Sequence, residues 1–149
     1  MLQQIALGSL LLVVSVVLTS LCLVWGHRWL PRLGDTHNNS VFRQVSTIAL
    51  ATLWIVAALS ATVWLWALTF CLIGEFTQFE AALYFAGVAA TTLGFGDQLL
   101  SPEWRLLSGF IAANGLLLFG LAGAYLLELM QQVFGARPHG HPGADFSQD

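Results

Sequence analysis

Charged residues divide the chain into three long apolar runs and one short one. The first long run, Ile5 to Trp25, reaches roughly 31 Å as a helix at 1.5 Å per residue, matching a hydrocarbon core of about 30 Å. The second lies between Arg43 and Glu75, and the third, Leu106 to Leu127, lies between Arg105 and Glu128. Neither contains a charge, and both are long enough to cross. A cleaved signal peptide is the competing reading of the first run. No Lys or Arg precedes that run, however, its apolar stretch exceeds the usual length of about 7–15 residues, and the positive charges come after it. The pattern predicts three transmembrane helices.

Composition agrees. The chain is 57% hydrophobic and 9% charged with a mean hydropathy of +0.76, whereas soluble domains are about a quarter charged. A length of 149 residues holds one domain of a few spans, and a net charge of -3 spread this thinly offers no footing for a nucleic acid. Cys22 and Cys71 fall inside apolar runs and read as buried thiols acting as small hydrophobes, against a disulfide or a metal site. All five basic residues are Arg; Arg28, Arg32 and Arg43 lie between the first two runs and Arg137 lies in the tail. By the positive-inside rule that loop and the tail are cytoplasmic and the N-terminus is outside. Gly74 to Arg105 is then external, and it is acidic, with Glu75, Glu80, Asp97 and Glu103 against one Arg.

The short run, Ala81 to Gly96, lies inside that external segment. Sixteen residues are too few to cross as a tilted helix, and the run ends in two glycines, so it reads as a segment that dips into the membrane and returns. Irregular backbone at membrane depth is tolerated only where it is buried in protein or lines a water-filled path. The glycines sit at alternate positions in Thr92-Leu93-Gly94-Phe95-Gly96. Successive carbonyls of a strand point to opposite sides; to turn several the same way, alternate residues must take left-handed angles, which Gly does at little cost. If the carbonyls of Thr92, Leu93, Gly94 and Phe95 line one side above the Thr92 hydroxyl, four such strands build stacked oxygen cages, and hard cations bind oxygen.

"TTLGFGD", Thr91 to Asp97, resembles the selectivity filter of the potassium-channel family, Thr-Val-Gly-Tyr-Gly-Asp preceded by another Thr. Upstream, "FEAALYFAGVAAT" resembles that family's pore helix, with Tyr84 and Phe85 where an aromatic Trp pair often stands. Downstream, "WRLLSGFIAANGLLLFGLAGAYLLEL" resembles the inner helix of the simple two-helix bacterial pores. The resemblance runs from about Val45 to Gln132 and leaves the first span and the tail outside. It implies an all-α membrane protein with three transmembrane helices plus a re-entrant pore helix and filter loop, assembling as a homotetramer, since one chain supplies one filter strand. The implied parts are an extra helix over 1–26, a basic cytoplasmic loop over 27–43, a pore domain over 44–134 and a disordered cytoplasmic tail over 135–149. Within the pore domain the outer helix takes 44–74, the pore helix 79–91, the filter 92–97 and the inner helix 102–134.

The function implied is passive potassium conduction across the cell membrane, with K+ held at the carbonyls of Thr92, Leu93, Gly94, Phe95 and Gly96 and with Asp97 at the outer mouth. Neither catalysis nor a cofactor is required. Tyr84, Phe85 and Thr91 belong to the pore helix, whose negative C-terminal end steadies a cation at the membrane centre. Gly115 stands at the family's hinge position, although Gly120 and Gly123 are alternatives, and Phe119-Gly120 faces the cavity. Three departures mark the chain: Leu93 replaces Val, Phe95 replaces Tyr and loses a hydroxyl that tethers the filter in many relatives, and Val88 replaces a Glu that pairs with the filter Asp in some. They keep two rivals open, a weakly selective cation channel and a non-conducting accessory subunit. Four-repeat potassium transporters are disfavoured, because no internal repeat occurs.

Several residues carry two readings. Glu103 either adds to an acidic outer ring or, in Ser101-Pro102-Glu103, starts the inner helix behind an N-cap. Glu128 either forms a ring at the inner mouth or snorkels to water. Asn114 faces the cavity or bonds a neighbouring helix, and the small residues of the third span serve close packing in either case. No arginine ladder marks the first span as a voltage sensor. Trp25 and Trp29 read as interface anchors, and Asn38-Asn39-Ser40 fits a glycosylation pattern on the wrong side. His139 and His141 read as solvated tail residues against a metal or pH site. The partners considered are three further copies, the bilayer and an unidentified regulatory subunit.

Overall fold

The computed structural model describes residues 1–29 and 41–135; most of the basic loop, the Asn38-Asn39-Ser40 pattern and the tail with His139 and His141 lie outside the described residues. Among the described residues four helices follow one another: α1 (Leu2–Trp29), α2 (Val41–Leu72), α3 (Phe79–Ala90) and α4 (Leu106–Gly135). Three of them carry the expected spans, over Leu2–Gly26, Gln44–Leu72 and Leu106–Val133, while α3, with 12 residues, covers only about 18 Å and does not cross. The protein is an all-helical membrane protein, with no strand among the described residues.

Outside a closed β-barrel a crossing segment must be helical, because lipid offers no partner to backbone N–H and C=O groups. Hydroxyls inside α2 obey the same rule by bonding their own helix: Thr52 donates to the Ile48 carbonyl at 2.9 Å, Thr62 to Leu59 at 2.7 Å and Thr69 to Leu65 at 2.9 Å. α2 stops at a Schellman motif. Gly74 takes φ 81°, Gly74 N–H donates to the Cys71 carbonyl and Glu75 N–H donates to the Phe70 carbonyl. The chain then reverses into α3.

The core lies where α2, α3 and α4 meet. Trp66, Ala67 and Phe70 of α2, Ala82, Phe85, Ala86 and Ala90 of α3, and Leu107 and Ile111 of α4 are buried together. Phe85 meets the Phe70 ring edge-on at 5.3 Å and the Phe76 ring at 5.5 Å, so the re-entrant helix is held from behind by aromatic contacts. A second, smaller cluster of Leu23, Ile55 and Ala122 joins α1, α2 and α4. α1 packs on both α2 and α4 through one face, with Gln4, Gly8, Leu11, Ser15, Thr19, Leu23 and Gly26 buried at spacings of three and four. Less than a third of each span is buried within the chain, which leaves the remaining apolar surface for lipid or for other copies.

α4 begins later than the sequence pattern suggests. Ser101 to Arg105 forms a turn, with Trp104 N–H donating to the Ser101 carbonyl at 3.0 Å, and regular helix starts at Leu106. The Ser101 hydroxyl does not cap the helix; it donates to Glu75 Oε1 at 2.7 Å.

Candidate functional site

The site is built on the end of α3. Thr91 caps the helix and returns its hydroxyl to the Gly87 carbonyl at 2.8 Å, leaving the Ala90 carbonyl at the tip. Thr92 N–H donates to the Ala89 carbonyl at 3.0 Å and Leu93 N–H to the Val88 carbonyl at 3.1 Å, the bond pattern of a second Schellman motif. Its left-handed position is held by Thr92, at φ 59°. For a β-branched residue this is an outlier costing about 1–2 kcal/mol, of the kind that collects at functional sites. Gly94 and Gly96 follow at φ 56° and 77°, so every second residue from 92 to 96 is left-handed. That is the alternation needed to turn successive carbonyls toward one side. The segment is open in the single chain, with Leu93 60% and Phe95 65% exposed.

Other residues hold the segment from three directions. Behind it, Tyr84, Val88, Thr92, Gly94, Asp97 and Ser108 share the wall of a cavity of about 270 Å³. The Asp97 carboxylate lies beside the Tyr84 hydroxyl and holds that phenol above its ordinary pKa, first by accepting its hydrogen bond, then with help from desolvation, and last by its own charge. Val88 offers Asp97 no carboxyl to pair with, and the polar side chain that shares its cavity wall on α3 is Tyr84. Beyond Asp97, Leu100 enters the core, and the Glu75 carboxylate grips Ser101 twice, accepting from its N–H and its hydroxyl at 2.7 Å each. From below, α4 touches α3: a Cβ built on Gly115 would fall 2.7 Å from the Ala90 carbonyl carbon and closer still to its oxygen.

The structure thus gathers Tyr84, Phe85, Thr91, the 92–97 segment, Gly115 and Phe119 around one helix end. Phe119 shares a small cavity with Thr91 and Gly115, and Gly120 has open space around it. Asn114 is buried in that cavity's wall between α2, α3 and α4, and its Oδ1 finds no partner among the described residues. Glu128 lies elsewhere, near the far end of α4, accepting from Gln132 at 3.0 Å and lining a groove between α1 and α4. Glu75 and Gln4, whose side-chain amide donates to the Glu103 carbonyl, are the residues that sequence reasoning did not single out. Glu75 had a signal, an acid directly after the helix-ending Gly74.

Two spanning helices flanking a short re-entrant helix and an alternating-backbone loop define the pore domain of a channel. The model of the ion channel family matches residues 48–132, from early α2 to late α4 and more than half of the chain. The protein belongs to that family, in its potassium-channel-like two-helix pore form, with α1 as an additional span. Nothing among curated proteins or solved structures matches the chain.

Proposed function

We propose that the protein is a potassium-selective channel of the cell membrane, passing K+ down its gradient through a filter assembled from four copies. The observation that carries this reading is the left-handed backbone at Thr92, Gly94 and Gly96, set at the end of a re-entrant helix. Four such loops around an axis supply stacked carbonyl oxygens that exchange for the ion's hydration water without any covalent step. The negative C-terminal ends of four α3 helices favour a cation at the base, and four Asp97 carboxylates concentrate cations at the mouth. Exposure of Leu93 and Phe95 supports assembly, since neighbouring copies would cover them. Gln4 near the start of α1 meets Glu103 after the filter, so the N-terminus lies at the filter end of the molecule. This supports an external N-terminus once the arginine-rich loop is assigned to the cytoplasm.

The test is ion flux into liposomes holding the purified protein under opposed potassium and sodium gradients, wild type against Gly96→Asp. At φ 77° a side chain is strained whatever the space, and the change adds a carboxylate to the filter segment itself. A potassium-driven potential that Gly96→Asp abolishes is the expected result. Equal sodium and potassium flux would favour a weakly selective cation channel, and no flux from assembled protein would favour an accessory subunit.

A further inference from the structure

α1 is not part of the two-helix pore, yet its contacts reach both ends of it. At the filter end Gln4, 8% exposed, donates its amide to the Glu103 carbonyl. One turn on, Gly8 lets the helix lie against Phe110 of α4, where a Cβ would fall 2.6 Å from the ring. At the opposite end Gly26 lies against the Trp54 indole of α2 at a similar distance, and Trp54 N–H donates to the Cys22 carbonyl at 2.9 Å. Between them Ser15 and Thr19 are fully covered. α1 is therefore fixed to α2 at one end and to the loop that leaves the filter at the other.

That loop, from Asp97 to Arg105, packs on the core through Leu100 and Trp104 and has three polar ties to other elements among the described residues. Asp97 meets Tyr84, Ser101 is gripped by Glu75, and Glu103 is held by Gln4. The first two come from within the pore domain; the third comes from outside it. We propose that Gln4 is a positioning residue for the filter and that α1 is a strut which holds the loop beyond the filter in register with the inner half of α2. The proposal rests on the filter reading given above. Its physical basis is that the Glu103 carbonyl, seven residues past Gly96, is an acceptor whose partner is carried by a helix outside the two-helix pore. Without that partner the loop keeps its ties at Asp97 and Ser101 and the packing of Leu100 and Trp104, but the Glu103 carbonyl loses its one polar hold from α1, and the strained 92–96 backbone loses one of the constraints that persistent strain requires.

Single-channel recording of the full chain in planar bilayers tests this, because burst duration and permeability ratio are read per channel and do not depend on how much protein folds. Gln4→Met, nearly equal in size and without a donor, is expected to shorten conducting bursts about fivefold at low external potassium, the factor set by one hydrogen bond of ordinary net worth. Raised external potassium should restore them, since bound ions hold the filter from inside. Gly8→Leu, which drives α1 off Phe110, should shorten bursts likewise, and Phe110→Ala in the same chain should reverse the effect. Unchanged bursts and permeability ratio in Gln4→Met, with a potassium-selective wild type, would overturn the strut alone. A wild type that passes sodium as freely as potassium, or does not conduct, would overturn the filter reading and this proposal with it.

Discussion

Replacing Gly115 by Ala places a methyl 2.7 Å from the Ala90 carbonyl carbon and 3.1 Å from its Cα. Carbon–carbon contacts relax at about 3.5–4.0 Å, and the Ala90 carbonyl oxygen lies nearer still, so α4 must retreat from the tip of α3 by more than about 1 Å. The obstacle is backbone, held in a helix end that carries the filter, and no side-chain rotation relieves it. Overpacking costs about 1–3 kcal/mol, and a rigid backbone wall puts this case at the upper end; the better helix propensity of Ala returns up to about 1 kcal/mol, for a net loss of about 2 kcal/mol per chain. Gly120→Ala and Gly123→Ala are the controls, since a Cβ at either meets nothing within 4 Å and only the propensity gain remains. Thermal unfolding of the three variants in lipid nanodiscs, followed by helical circular dichroism, should rank Gly115→Ala well below the other two. Equal stability would refute the close-approach argument. Altered open probability in an equally stable Gly115→Ala would point instead to the hinge role that the family resemblance implies.

Glu75→Ala leaves the Ser101 N–H and hydroxyl without their shared acceptor and should lower stability by about 1–3 kcal/mol in the same assay; a loss below that of Ser101→Ala would show the grip to be weak. Thr92→Gly removes left-handed strain of about 1–2 kcal/mol against a chain-entropy cost of about 0.5–1 kcal/mol. It should melt no lower than wild type while potassium flux falls, and wild-type flux would deny the hydroxyl a role. Because Tyr84 is raised above its ordinary value of about 10, its bond to Asp97 contributes fully below that pH and is lost as pH climbs through the higher folded value. Phenolate absorbance of Tyr125→Phe, which isolates Tyr84, should titrate above the ordinary value and move back toward it in Asp97→Asn; a midpoint at or below the ordinary value would exclude the bond.

What the sequence made legible was whatever hydropathy and backbone stereochemistry encode locally. Uncharged length announced the spans, a short run ending in glycines announced α3 and the loop after it, and Gly94 and Gly96 announced the alternation. The packing face of α1 escaped notice because apolar residues surround the helix, while its buried side mixes Gln4, Ser15 and Thr19 with Leu11, Leu23 and the close-approach glycines Gly8 and Gly26, a pattern that a search for apolar runs does not separate. Ser101-Pro102-Glu103 reads as a helix start by local rules, but Glu75, 26 residues earlier, captures the Ser101 side chain and delays regular helix to Leu106. Local preference lost to a charge-assisted tertiary bond. Gly115 was ambiguous for a different reason, as a bend and a close approach both ask for glycine, and only the position of Ala90 shows the approach.

The two helix ends that bracket the re-entrant segment make a controlled comparison within one molecule. Both α2 and α3 end in the same pair of bonds, from the left-handed residue and its successor back to the last turn. At the end of α2 that residue is Gly74, which takes φ 81° at little cost. At the end of α3 it is Thr92, which must be forced to φ 59°. Geometry alone would be served better by glycine there, as it is at Gly94 and Gly96, so the geometry does not account for the threonine. What threonine adds is a hydroxyl at the junction between the negative end of α3 and the first carbonyls of the loop, the point where the proposed path passes from water to protein oxygen. The surrounding structure supplies what forces it: the aromatic wall behind Phe85, the Gly115 approach below and the ties at Asp97, Ser101 and Glu103 above. A strained threonine held by contacts from α1, α2, α3 and α4 explains why so much of a small protein converges on one turn of chain.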